Sequence, residues 1–146
     1  MAYSGGFTLV REGADTQMIE LNLSSVTTVV GDVLELVDGA STWALCTSTS
    51  NARTLKAVAQ EAVTSGSAAK AILVNETQLW VAETNAASNS AHVGDRMALT
   101  DANTVNNSGT DQTGATGVFI MLQVVGATSE NRILGRFCGL YGNATV

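Results

Sequence analysis

The chain has no proline, few charged residues and only two cysteines among its 146 residues. Without proline, edge strands lack one of the residues that commonly block unwanted strand pairing. Charged residues make up 14% of the chain, below the roughly 25% typical of globular proteins. The polar surface must therefore consist mainly of Thr, Ser, Asn and Gln, a composition that favours strands and turns over helices.

Clusters of basic residues and long hydrophobic runs are also absent from the sequence. Seven Lys and Arg against thirteen Asp and Glu give a net charge of −6, which disfavours direct binding to nucleic acid or to an anionic membrane. The longest aliphatic and aromatic run, residues 118–122, is far shorter than the ~20 residues of a membrane helix. The first residues lack the pattern of a secretory signal, so we expect the chain to fold in a cytoplasm.

The residues that could carry chemistry are few and scattered. Cys46 and Cys138 form no Cys-x-x-Cys motif, which favours two free thiols and leaves a disulfide between them as the alternative. The only histidine, His92, precedes Asp95 in a polar turn without a recognisable nucleophile motif. No glycine-rich phosphate loop is present. We therefore expect no catalytic residue, no metal site and no cofactor.

Short apolar runs separated by turn residues dominate the rest of the chain. Ile19, Leu21 and Leu23 alternate with polar residues, the period-two pattern of a strand with one buried face. The later runs are residues 33–37, 43–46, 71–74, 79–82, 97–99, 118–125 and 133–137. Such a series of short strands predicts an all-β fold, either a closed barrel or a sandwich.

Three segments carry more specific expectations. The four residues between runs 71–74 and 79–82 predict a β-hairpin. Residues 55–63 fit both helical and strand periodicity, so both interpretations stay open. The polar stretch 100–117 predicts a long loop, which in a compact domain is usually functional or mobile.

One phrase occurs twice in the sequence. Residues 30–38 read VGDVLELVD and residues 93–101 read VGDRMALTD, identical at five of nine positions. A duplicated ligand site at Asp32 and Asp95 is one interpretation. We favour the other, in which glycine supplies a positive φ and aspartate bonds its own backbone at the start of a strand.

Several of these phrases together resemble a known family. They are VGDVLELVDG at 30–39, AVAQEA at 57–62, and the ending from VVG at 124–126 to RILGRF at 132–137, in an acidic chain rich in Ala, Thr, Ser and Asn. The combination, over most of residues 19–137, resembles the head decoration (cement) proteins of tailed bacteriophages.

The resemblance implies a fold, a location and a set of partners. It implies a small β-barrel or β-tulip-like protein with an extended N-terminal arm, assembled as a homotrimer on the exterior of an expanded capsid after synthesis in the host cytoplasm. Its partner would be the major capsid protein, whose subunits it would bridge against internal DNA pressure. Two alternatives stay open: another virion module, such as a tail or fibre component, and a carbohydrate-binding or adhesin module using Trp43, Trp80 and Tyr141.

The predicted attachment site lies in the N-terminal arm. We divide the chain into an extended arm, residues 1–17, and a single β-barrel-like domain, residues 18–146. The arm carries apolar side chains that a short tail cannot bury by itself. They would pair with a strand of the capsid or of an adjacent subunit, or else the arm would fold back as an edge strand of its own barrel. The candidate binding residues are Tyr3, Phe7, Thr8, Leu9, Val10 and Arg11.

Overall fold

The computed structural model of the protein describes residues 5–13, 15–108 and 115–138. Within these ranges the chain forms twelve strands and two single-turn 3₁₀ helices, so the predicted all-β class is confirmed. Neither helix has the length or hydrophobicity needed to span a bilayer. The strands are β1 (Phe7–Arg11), β2 (Met18–Thr28), β3 (Val33–Leu36), β4 (Trp43–Leu45), β5 (Lys56–Ala59), β6 (Val63–Leu73), β7 (Leu79–Thr84), β8 (Arg96–Met97), β9 (Leu99–Asp101), β10 (Thr104–Val105), β11 (Phe119–Val124) and β12 (Arg132–Phe137).

Strands β2 to β6 close into a small barrel in the order β2-β4-β3-β5-β6. All neighbours are antiparallel except β2 and β4, which run parallel. Leu21 and Leu23 of β2 are buried while Glu20 and Asn22 are exposed, as the alternation predicts. The barrel interior is filled by a cluster of apolar side chains, namely Leu21, Leu23, Leu34, Trp43, Ala57, Ala59, Ala69 and Ala71.

The remaining strands form a second sheet that repeats the connectivity of the barrel. Its path runs β8-β11-β12-β7-β10-β9, with β7 and β10 parallel and the other neighbours on the path antiparallel. Strands β11, β12, β7 and β10 thus correspond to β5, β6, β2 and β4. The counterpart of β3 is divided at Ala98 into β8, beside β11, and β9, beside β10. The second sheet comes in addition to the single barrel expected for residues 18–146.

The repeated phrase marks equivalent turns in the two units. Gly31 has a φ of 101° and Gly94 a φ of 91°, backbone conformations that glycine adopts without strain. The Gly31 N–H donates to the carbonyl of Ala59 at 2.9 Å, and the Gly94 N–H donates to that of Met121 at 2.8 Å. Ala59 and Met121 lie on the corresponding strands β5 and β11. The positive φ predicted for glycine is confirmed in both copies. The predicted bond from the aspartate carboxylate to nearby backbone is found for Asp32, which accepts from the Val29 N–H, whereas the Asp95 carboxylate contacts the ring of His92.

The two units share one apolar core. Val33, Val58 and Ile72 of the barrel belong to the same buried cluster as Met97 and Phe119 of the second sheet. Successive side chains of a strand point to opposite faces, so these barrel strands contribute the side chains of one face to the barrel interior and those of the other face to the shared core.

The hairpin predicted from runs 71–74 and 79–82 is wrong, because β6 and β7 belong to different units. Both edges of β6 are already occupied, by β2 and β5. The turn between β6 and β7 is fixed by the buried Gln78, whose amide nitrogen donates to the carbonyl of Leu73 at 3.0 Å. Its amide oxygen accepts a hydrogen bond from the backbone N–H of Asn75, also at 3.0 Å. The turn therefore connects the barrel to the second sheet.

The structure decides the segment left open by the sequence. Residues 56–59 form strand β5, whose four side chains are all buried, so neither periodicity is visible there. The long loop predicted for the polar stretch 100–117 is wrong for its first part, because β9 and β10 pair with each other there. Residues 109–114 of this stretch lie outside the described ranges.

Candidate functional site

The predicted attachment segment is a strand of the second sheet of its own chain. Strand β1 pairs antiparallel with β7, placing Phe7 opposite Ala82 and Leu9 opposite Trp80. This corresponds to the alternative in which the arm folds back as an edge strand. The Gly5-Gly6 pair before β1 has φ values of 81° and 62°, which is where the chain turns into the strand.

Phe7 and Leu9 point into the core of the chain rather than toward a partner. Phe7 is 1% exposed, and its ring centroid lies 5.3 Å from that of Phe119 and 5.1 Å from that of Phe137. Leu9 is half-buried against the same cluster. The expectation that these two side chains bind another subunit is therefore corrected, because the chain buries them in its own core and no partner is needed to remove them from water.

Val10 and Arg11 are the candidate residues that face solvent. Val10 is 47% exposed and Arg11 is also exposed, while Thr8 is half-buried. Within the described residues, β7 is the only strand that pairs with β1. On the outer edge, the Phe7 N–H donates to the carbonyl of Gly31 at 3.0 Å, so the part of this edge that another strand could extend begins after Phe7. Tyr3 lies outside the described residues.

A buried polar cluster lies beside strands β3 and β5 of the barrel, where Lys56 is paired with Glu35. Lys56 is only 1% exposed. Its Nζ donates to the carbonyl of Asn51 at 2.5 Å and to that of Thr54 at 2.7 Å. The Ser50 hydroxyl donates to the Glu35 carboxylate. These contacts hold the loop between β4 and β5 against the barrel.

Cys46 lies beside this cluster as an unreactive thiol. Burial raises the pKa of Cys46 to about 12, although the nearby Lys56 ammonium partly opposes the shift. Burial likewise lowers the pKa of Lys56 from its ordinary value of 10.5. Since the thiolate is the nucleophilic form, a thiol with a raised pKa is not suited to covalent catalysis.

Two shallow concavities flank the same loop. One, of about 380 Å³, is lined by residues of β3, β4 and the loop, including Glu35 and Ser50. The other, of about 440 Å³, lies between the turn at Asp38 and the loop segment around Arg53. Leu36 lines both concavities and packs against the apolar side chains of the barrel interior.

The remaining residues considered from the sequence occupy unremarkable positions. His92 Nδ1 lies 3.1 Å from the Asp95 carboxylate in a turn, and Asp32 accepts hydrogen bonds from the Val29 N–H and the Asn103 amide. Cys46 and Cys138 are separate thiols, as favoured from the sequence. In the part of the chain that the structure describes, no group of three His, Cys, Asp or Glu side chains is placed to hold a metal ion.

The aromatic residues suggested as sugar platforms are mostly enclosed. Trp43 is 8% exposed and Trp80 is 0% exposed, so neither presents a ring face to a ligand. Tyr141 lies outside the described residues. A sugar platform needs an accessible ring, so these two tryptophans serve as core residues.

Sequence comparison adds no family to these observations. The sequence matches no model of a known protein family and none of the curated proteins compared with it.

Proposed function

We propose that the chain is a structural virion protein that binds the outside of an expanded phage capsid and stabilises it by bridging capsid subunits. The observation that carries the proposal is the filled interior of both β units, which leaves the outer strand edges as the places for recognition. Among the described residues, such packed apolar interiors favour recognition through the surface. The resemblance to head decoration proteins suggests the partner, the major capsid protein.

The outer edge of β1 is the first proposed contact with the shell. It presents the exposed Val10 and Arg11 beside the backbone groups that follow Phe7, whose own N–H is bonded to Gly31. An added strand would satisfy such groups on both partners. Many identical weak contacts on a lattice give a high total affinity, and a homotrimer would multiply them further.

The test is binding to shells assembled from the major capsid protein encoded with this chain. We expect the purified chain to co-sediment with expanded shells, not with unexpanded ones, and to raise the temperature at which the expanded shells disassemble. Failure of the wild-type chain to bind expanded shells would refute the proposal. A tail or fibre role would instead give binding to assembled tails.

Matched surface variants locate the contact. Val10→Glu places a charge on the outer face of β1, and Val93→Glu places the same charge on another exposed valine, 47% exposed like Val10. We expect the first variant to weaken shell binding and the second to bind as the wild type does. Equal shell binding by the two variants would mean that the contact does not lie on β1.

A further inference from the structure

The internal repeat gives each strand of the barrel a counterpart in the second sheet. The repeated phrase aligns Leu36 with Leu99, and these residues pair with Trp43 and Val105. Trp43 and Val105 in turn pair, in parallel register, with β2 and β7. Following the hydrogen-bond register in this way aligns Leu23 with Thr84. The counterparts of Ile19, Glu20 and Leu21 are therefore Trp80, Val81 and Ala82.

One neighbour is present in the second unit and missing from the first. Strand β1 covers the edge of β7 opposite β12 from Leu79 to Ala82. In the barrel, β6 covers one edge of β2, but β4 reaches the other edge only at Leu23. Among the described residues, the edge of β2 from Met18 to Leu21 therefore has no strand partner.

The backbone groups on this edge point outward. The Leu73 N–H donates to the carbonyl of Gln17 at 3.1 Å, which identifies a hydrogen-bonded pair of the β2–β6 ladder. Such pairs alternate in an antiparallel ladder, so the backbone groups of Met18 and Glu20 point away from β6. The same alternation directs the backbone of Glu83 toward β1, where its N–H donates to the Gly6 carbonyl at 3.3 Å.

The side chains beside the open edge are also less covered than their counterparts. In the second unit, Trp80 and Phe137 lie beside β1 and are fully buried. Their counterparts Ile19 and Leu73 are only half-buried against the barrel core. At the end of the same edge, Met18 is 58% exposed. The barrel thus lacks the cover that Phe7 and Leu9 supply to the second unit.

We propose that this open edge of β2, over Met18–Leu21, accepts an extended strand of the capsid shell protein in the position that β1 takes on β7. The incoming strand runs antiparallel to β2 and places a bulky apolar side chain opposite Leu21, as Phe7 lies opposite Ala82. Within the described ranges, the chain's own segment of this pattern is already used on β7, and we assign the strand on β2 to another protein. The identity of the donor rests on the proposed function.

Strand addition at β2 would give the chain a second contact with the shell. Bridging requires two contacts per chain, and the open edges of β1 and β2 lie on different units of the fold. A decoration protein that pairs at both edges would connect two shell segments through its shared core. Strand addition at β2 therefore gives the bridging function a structural basis.

The first test blocks the edge without touching the barrel ladder. Glu20→Pro removes an N–H that points away from β6, a position at which an edge strand tolerates proline. Glu20→Thr is the matched control, since it removes the same side chain and keeps the N–H. We expect Glu20→Pro to weaken binding to expanded shells by about tenfold or more, and Glu20→Thr to bind within about twofold of the wild type. Equal shell binding by the two variants would overturn the inference while leaving the proposed function standing.

The second test uses the wild-type chain, so it does not depend on a variant that folds. Hydrogen exchange is compared between the free and the shell-bound chain. We expect exchange of the Glu20 amide to slow by about tenfold or more in the bound state. Shell binding without this protection would overturn the inference. Protection of the Glu20 amide in the free chain at high concentration would also overturn it, because the edge would then pair with a second copy of the chain.

A third measurement separates failure of the inference from failure of the proposed function. If the wild-type chain does not bind shells, a synthetic peptide with the sequence of residues 5–11 serves as the probe at high excess. Protection of the Glu20 amide by this peptide, lost in Glu20→Pro, would support the edge as a strand acceptor. Absence of protection would overturn the edge as an acceptor altogether.

Discussion

Truncating Phe7 should destabilise the protein far more than its place near the N-terminus suggests. The side chain is 1% exposed and contacts two aromatic rings. Truncation of a buried phenylalanine to alanine costs about 3–5 kcal/mol, from lost burial and the cavity left behind. We expect about 3 kcal/mol for Phe7→Ala, at the lower end, because an edge strand with a single neighbour can shift and reduce the cavity.

Equilibrium urea unfolding measures this effect directly. Val10→Ala is the control on the same strand, and we expect it to change the free energy of unfolding by less than about 0.5 kcal/mol because Val10 is largely exposed. A loss below about 1 kcal/mol for Phe7→Ala, with an unchanged denaturant slope, would mean that β1 does not pack on its own chain. The arm would then be available to a partner, and the attachment mode first considered from the sequence would return.

Two further predictions concern the repeated turn and the buried thiol. Gly94→Ala should lower the free energy of unfolding by about 1–2 kcal/mol because of its positive φ alone. Gly31→Ala should lower it more, because a Cβ there would lie 2.7 Å from the carbonyl oxygen of Gly5. Equal losses of stability in thermal unfolding of the two variants would contradict this contact. The folded-state pKa of Cys46, about 12, lies above its ordinary value of 9.0, so its contribution to stability is present below pH 9 and lost as the pH rises toward 12. Relative to Cys46→Ala, the wild type should therefore lose about 2 kcal/mol of stability between pH 8 and pH 10.5, and parallel pH profiles of the two proteins would refute the assignment.

The sequence was most informative where one face of a strand is buried. The alternation of Ile19, Leu21 and Leu23 identified β2 because its other face is exposed. The phrase at residues 30–38 and 93–101 identified two equivalent turns, because a positive φ requires glycine at a fixed position. Both patterns depend only on residues that are close in sequence, and the structure contains both of the features they predict.

The wrong predictions concern segments whose structure depends on contacts with residues distant in sequence. A four-residue loop can close a hairpin, but the edges of β6 were occupied by β2 and β5, strands distant in sequence. Lys56 reads as a surface residue, and its burial depends on two carbonyls of the loop that precedes it. In the arm, the need to cover the apolar Phe7 and Leu9 was predicted, but nothing in the local sequence could show which core would bury them.

The two units fill equivalent interior positions with different side chains. By register, Ala57, Ala59 and Ala69 of the barrel align with the larger Phe119, Met121 and Ile133, whereas Leu21 and Trp43 align with the smaller Ala82 and Val105. The bulk of the second unit therefore lies along β11 and β12, and Phe7 of β1 packs against the rings of Phe119 and Phe137 on these strands. Since a core packs to nearly constant density, side chains redistributed in this way need a different set of enclosing strands. The second unit divides its closing strand into β8 and β9 and includes β1, whereas the barrel closes with five strands and, among the described residues, leaves the equivalent edge of β2 without a strand partner.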